Sequence, residues 1–135
     1  MNSTQLTLAA LAAAFSFTLA ANAAGTALPP ASDKKDLTYA KDIKPIFDAN
    51  CAKCHSGDRA KAKLHMDTLE GILKGTKAGK IVTVGDSAGS FIVKSVAHTA
   101  DKDEWMPPTP NKAGAKTLTA EEVGLVRAWI DQGAK

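Results

Sequence analysis

Cys51-Ala52-Lys53-Cys54-His55 is the stretch around which the rest of the chain must be read. A Cys-x-x-Cys-His run is the attachment signal for a c-type haem. Two thiols at this spacing can add to the two vinyl groups of one porphyrin, and the following imidazole then hangs beneath the iron. Once the thioethers exist, His55 binds intramolecularly, at a very high effective concentration. Two rival readings fit less well. A redox dithiol belongs after a strand in a βαβ setting, whereas a helical pattern precedes Cys51. A zinc site needs four ligands, commonly from two Cys-x-x-Cys pairs, and only one pair is present. Both cysteines fall inside the motif, so no third thiol remains for a structural disulfide.

The N-terminus reads as a targeting signal. Leu6 to Leu19 form an apolar run, and Ala21-Asn22-Ala23 fits a small-residue cleavage site, so residues 1–23 are expected to be a signal peptide. No Lys or Arg precedes that run, and a retained anchor is the alternative. No later segment is apolar enough to cross a bilayer, so no stable membrane span is expected after signal cleavage. The expected location is periplasmic or secreted. Residues 24–36, rich in Ala, Pro, Lys and Asp, read as a flexible leader, leaving 37–135 as one haem domain. Aromatic content of 5% is low for a self-sufficient core, and a buried haem would supply the missing apolar bulk. The formal charge of +3 is too small to argue for nucleic acid, and no aromatic-basic pattern suits base stacking.

Four helical segments and no strand pattern predict an all-α fold. The first lies between Thr38 and Asn50, with Ile43, Ile46 and Phe47 as its apolar stripe. Pro45 is tolerated if that helix starts near Asp42 and kinks it if the start is Thr38. Asp67 with Glu70 three residues on signals a second, short helix that stops at Gly75. A third is expected from Ser87 to His98, with Ile92, Val93 and Val96 facing inward. Asp101 to Ala115 reads as a loop punctuated by Pro107, Pro108 and Pro110. The last helix opens on the capping box Thr119-Ala120-Glu121-Glu122, carries Val123, Val126 and Ile130 with Leu125 and Trp129, and ends at Gly133.

An iron held by His55 has its opposite face open, and Met106 is the candidate sixth ligand. It sits in Trp105-Met106-Pro107-Pro108, a stiffened loop far enough along the chain to reach the other side. A thioether there stabilises ferrous iron and fills the last coordination position. Met66 and His98 are alternatives; a core role for Met66 and a helix-end role for His98 are the plainer readings. Trp129 can donate to a haem propionate or pack the crossing of the terminal helices, and packing is the simpler assignment. Lys53, Arg59, Lys61 and Lys63 either steer an acidic redox partner or form a solvated face.

Beyond these motifs the chain resembles the class I c-type cytochromes, and within them the short planctomycete-type cytochrome c haem domain. The resemblance covers roughly Tyr39 to Ala134. It is carried by Asp42-Ile43-Lys44-Pro45-Ile46, the Cys51–His55 motif, Leu64-His65-Met66-Asp67-Thr68 with Gly71, and Val84-Gly85-Asp86-Ser87. Met106-Pro107-Pro108, Leu118-Thr119-Ala120-Glu121-Glu122 and Trp129-Ile130-Asp131-Gln132-Gly133-Ala134 complete it. At His65 the chain departs from the family, which more often carries Arg there. The resemblance implies a small helical domain wrapped around one haem c, with first and last helices crossing beside it. It implies Cys51 and Cys54 as thioether residues, His55 as proximal ligand and Met106 as distal ligand. The expected function is single-electron transfer between redox partner proteins outside the cytoplasm, without catalysis of a substrate reaction. A peroxidase or gas-sensing domain with a labile distal ligand, and an electron-entry subunit of a larger oxidoreductase, are the alternatives.

Overall fold

Thr119 and Glu122 cap one another. The Thr119 hydroxyl accepts from the Glu122 amide at 3.2 Å, and the Glu122 carboxylate accepts from the Thr119 amide at 2.8 Å. This reciprocal pairing satisfies donors that a helix start leaves free. The computed structural model describes residues 27–135, and among these the pairing launches the longest helix. The expected signal peptide, residues 1–23, lies outside the described residues.

Among the described residues three shorter α-helices precede this one. A wide π-helical turn, Tyr39–Ile43, runs directly into α1, Lys44–Asn50. Pro45 stands in the first turn of α1, where its missing N–H costs no intrahelical bond. The two alternatives for Pro45 therefore merge: the helical path begins at Tyr39 and changes its winding as it meets the proline. Next comes α2, Leu69–Lys74, whose cap is Thr68 rather than Asp67, because the Thr68 hydroxyl accepts from the Gly71 amide at 3.1 Å. It stops where expected, at Gly75, whose φ of +85° suits glycine. The third helix, α3, is Phe91–Val96, shorter than the Ser87–His98 span expected. Its would-be first turn is diverted: Asp86 accepts from the Gly89 amide at 2.8 Å, and Ser87 is bound by Asp131. Finally α4, Ala120–Asp131, closes the domain. No strand occurs among the described residues beyond one isolated bridge between Thr76 and Gly79, so the fold is all-α.

The core gathers where the first and last elements cross. Ile43, Phe47, Ile72, Val93, Val126, Trp129 and Ile130 are all fully enclosed. Trp129 lies 6.1 Å from Tyr39, ring centre to ring centre, in a tilted pair. Its indole N–H donates to the Lys135 main-chain oxygen at 2.9 Å, which also accepts from the Tyr39 amide at 2.7 Å. That bond occupies the one donor of Trp129, so packing is its role and a propionate contact is not. The Tyr39 hydroxyl in turn donates to the Met66 carbonyl at 2.8 Å, tying the crossing to the segment after the haem motif.

The leader expected over residues 24–36 is anchored along its described part. Ser32 donates its amide to the Gly124 carbonyl at 2.9 Å, and Gln132 donates to the Lys34 carbonyl at 2.8 Å. Arg127 reaches both the Pro29 carbonyl and the Ser87 hydroxyl, while Leu28 and Ala31 pack on the core. The approach is close enough that a Cβ on Gly124 would sit 2.8 Å from the Pro30 carbonyl. Composition suggested a loose segment; backbone pairing with α4 makes it a strap.

Candidate functional site

The end of α1 shapes the haem motif. Cys51 is the last residue of that helix turn, donating its amide to the Phe47 carbonyl at 2.7 Å. The Cys51 carbonyl then accepts from both the Cys54 and His55 amides, each at 3.0 Å. One tight turn therefore gathers the two thiols and the imidazole. A helix, not a strand, leads into the pair, which is the wrong setting for a thioredoxin-like dithiol. Among the described residues no three His, Cys, Asp or Glu side chains gather as a metal cage.

The two cysteines are unpaired and differ in access: Cys51 is buried and Cys54 half-buried. Burial, reinforced by the neighbouring Cys54 and the Glu122 carboxylate, pushes the Cys51 thiol up to about 12. It stays protonated at neutral pH.

The chain that follows His55 returns to hold its ring. Lys61 donates its amide to the Cys54 carbonyl at 2.9 Å and presents its own carbonyl 3.1 Å from His55 Nδ1. A carbonyl only accepts, so Nδ1 carries the proton and Nε2 keeps its lone pair. Among the described residues Nε2 has no hydrogen-bond partner, and it is not among the enclosed polar atoms. Burial also lowers the tendency of His55 to protonate, against the opposing pull of the Lys61 carbonyl, and the Lys61 charge adds to the lowering. Neutral, oriented and reachable at Nε2, the ring is in the form an iron ligand requires. Two free thiols and such an imidazole on one turn fit covalent haem.

Backbone geometry pins this return loop. Ala62 and Lys63 both take left-handed conformations, with φ of 55° and 57°, uncommon for residues other than glycine. The Lys77 amide holds the Ala62 carbonyl at 3.3 Å, and the Met66 amide holds the His55 carbonyl at 2.7 Å.

The candidate sixth ligands separate by access. Met106 is 37% exposed, so part of this residue is open to a group placed against it. Its amide donates to the Ser95 carbonyl at 3.1 Å, which docks the loop on the end of α3. Met66 is buried in the core, as its plainer reading had it. His98 stacks flat on Trp105, with ring centres 4.6 Å apart and 6° between planes. Its Nε2 is enclosed by protein and has no partner. That nitrogen is closed to an iron as the side chain stands. The far part of the Met106 loop comes back to the haem motif, where the Lys53 ammonium meets the Ala113 carbonyl at 3.4 Å.

Lys53, Arg59 and Lys61 line an open cavity of about 420 Å³ beside Cys54, together with Ser56, Gly57 and Asp58. Lys63 is also exposed. His65 is half-buried, and its carbonyl and Cβ crowd Gly71. Sequence reasoning passed over two participants: the Lys61 carbonyl, a backbone group without side-chain signal, and Trp105. The second was legible in principle, as an aromatic directly before the candidate ligand.

Two free thiols and a neutral imidazole on one turn at the end of a helix are the arrangement that holds haem c, and haem c is the cofactor they fit. Residues 51–110 match the family model described as Planctomycete cytochrome C. Among curated proteins, none matches the chain. Among solved structures, the chain is similar to one titled Kuenenia stuttgartiensis Hydrazine Synthase, at 22% identity and a TM-score of 0.49. That likeness covers 73% of this chain and 16% of the other, so this protein spans about a sixth of that chain's length. No helix among the described residues is long and apolar enough to cross a membrane.

Proposed function

We propose that this protein is a mono-haem electron carrier in which Cys51 and Cys54 would form the thioethers and His55 and Met106 would bind the iron. Bound haem supplies a ferric–ferrous couple; the chain supplies its surroundings. The Lys61 carbonyl fixes the tautomer and ring plane of His55, and a hydrogen bond of this kind raises ligand basicity. Met106 contributes a soft thioether that favours the ferrous state and leaves no position for peroxide or oxygen. The observation that carries this reading is the contrast in access: His55 Nε2 and the Met106 side chain are reachable, whereas Met66 and His98 Nε2 are enclosed.

The expected partners are redox proteins with acidic docking surfaces. Lys53, Arg59 and Lys61 surround an open cavity next to Cys54, and such a field speeds the encounter of opposite charges. The expected location is outside the cytoplasm, periplasmic or secreted, supported by the apolar run and the Ala21-Asn22-Ala23 cleavage pattern.

The deciding experiment is the optical spectrum of protein produced in a host with c-haem maturation. Sharp low-spin bands when reduced, with the weak far-red sulfur-to-iron band when oxidised, are the expected result. A high-spin iron, or rapid carbon monoxide binding to the ferrous form, would instead establish an open distal site and an enzyme or sensor.

A further inference from the structure

We propose that His98 is a positioning residue for Met106, acting through its stack on Trp105. The proposal rests on Met106 being the sixth ligand and adds what holds it there. His98 leaves α3 with a φ of +55°, which turns the chain sharply and lays the imidazole on the indole of Trp105. The rings are 6° from parallel with centres 4.6 Å apart, an offset parallel stack. Trp105 is pinned from a second direction, its N–H donating to the Ala100 carbonyl at 2.8 Å. Met106 follows directly, with its amide on the Ser95 carbonyl. The far end of the segment from Ser95 to Met106 is thus tied back by the Met106–Ser95 backbone bond, the Trp105–Ala100 bond and the ring stack.

The state of the imidazole says which of its properties is in use. A histidine placed for hydrogen bonding would have a partner, and leaving a buried nitrogen unpaired is unfavourable. His98 Nε2 is enclosed and has none. What the ring contributes is flat area against Trp105. Restraint at this point matters because the next two residues, Pro107 and Pro108, have no amide protons with which to anchor the loop. Turning the Trp105 ring off the stack would rotate the backbone that carries the Met106 thioether.

The test uses the haem-loaded protein and four variants: His98→Ala, His98→Asn, His98→Phe and Met106→Ala. Three quantities are read at pH 7: the far-red sulfur-to-iron band, the affinity of the ferric protein for added imidazole, and far-ultraviolet circular dichroism. His98→Ala and His98→Asn are expected to bind imidazole about three- to tenfold more tightly, as the thioether is displaced more easily. Their helical content should match the parent. His98→Phe, which restores a flat ring, is expected to return to within about twofold of the parent. Asn accepts a left-handed backbone but cannot stack, so parental behaviour of His98→Asn would overturn the proposal. So would a His98→Phe variant that behaves like His98→Ala. If Met106→Ala leaves the far-red band unchanged, the ligand assignment itself fails, and that result is separate from any of the His98 outcomes.

Discussion

The loop that carries His55 and the loop that carries Met106 are built to different standards. From Cys51 to Met66 the chain folds back on itself. His55 is held through its amide, its carbonyl and its ring, by Cys51, Met66 and Lys61 respectively. From Ala97 to Leu118 the restraints thin out. Met106 has one backbone bond to Ser95 and a neighbouring ring stack, and Lys53 touches the loop again only at Ala113. His55 is oriented by the fold itself; Met106, the proposed second ligand, rests on a lightly anchored arm. The lesson is that a small domain can fix one side chain by local geometry alone, while another depends on contacts spread over a longer loop.

The largest expected effect comes from removing each ligand in turn. His55→Ala should abolish a stable low-spin haem protein, read by absorbance and by haem staining of denatured gels. Met106→Ala should keep the haem covalently attached, open the sixth position to carbon monoxide and lower the reduction potential. Equal losses in the two variants would erase the proposed asymmetry.

An intermediate effect is expected at Gly71. A Cβ there would lie 2.4 Å from the His65 carbonyl oxygen and 2.6 Å from the His65 Cβ. Gly71→Ala must push aside the segment whose next residue, Met66, holds the His55 carbonyl. A loss of about 1–3 kcal/mol in urea unfolding is expected, as for other overpacked sites. Unchanged stability would mean that the proximal frame is looser than its hydrogen bonds suggest.

The smallest effect belongs to Lys53→Ala, which removes the exposed contact to Ala113. Stability should change by no more than about 0.5 kcal/mol, as for most surface substitutions. A larger loss would show that the distal arm leans on the proximal turn after all.

Much of this arrangement was readable from residue types. The Cys51–His55 run named the cofactor, and Thr119 with Glu122 announced α4, because both signals are written in side chains. Two features were hidden for the opposite reason. The partner of the His55 ring is a backbone carbonyl, which any residue at position 61 offers. The left-handed turn at Ala62 and Lys63 carries no glycine or asparagine to mark it. The helix beginning expected at Ser87 failed because Asp131, distant in sequence, claims that hydroxyl and amide. The docked strap before Leu37 escaped notice because its pairing with α4 uses main-chain groups and the Arg127 side chain. Local chemistry is legible in a sequence; the far partner of a backbone group is not.

The unequal burial of the two cysteines has a consequence for assembly. Disulfide formation begins with a thiolate that an oxidant can reach. Cys51 is enclosed and strongly held as the thiol, which leaves the half-open Cys54 as the sulfur an oxidant meets first. A chain folded before its haem arrives would therefore close the Cys51–Cys54 pair slowly. Two sulfurs kept reduced by shape alone would give haem attachment a longer interval in which to occur.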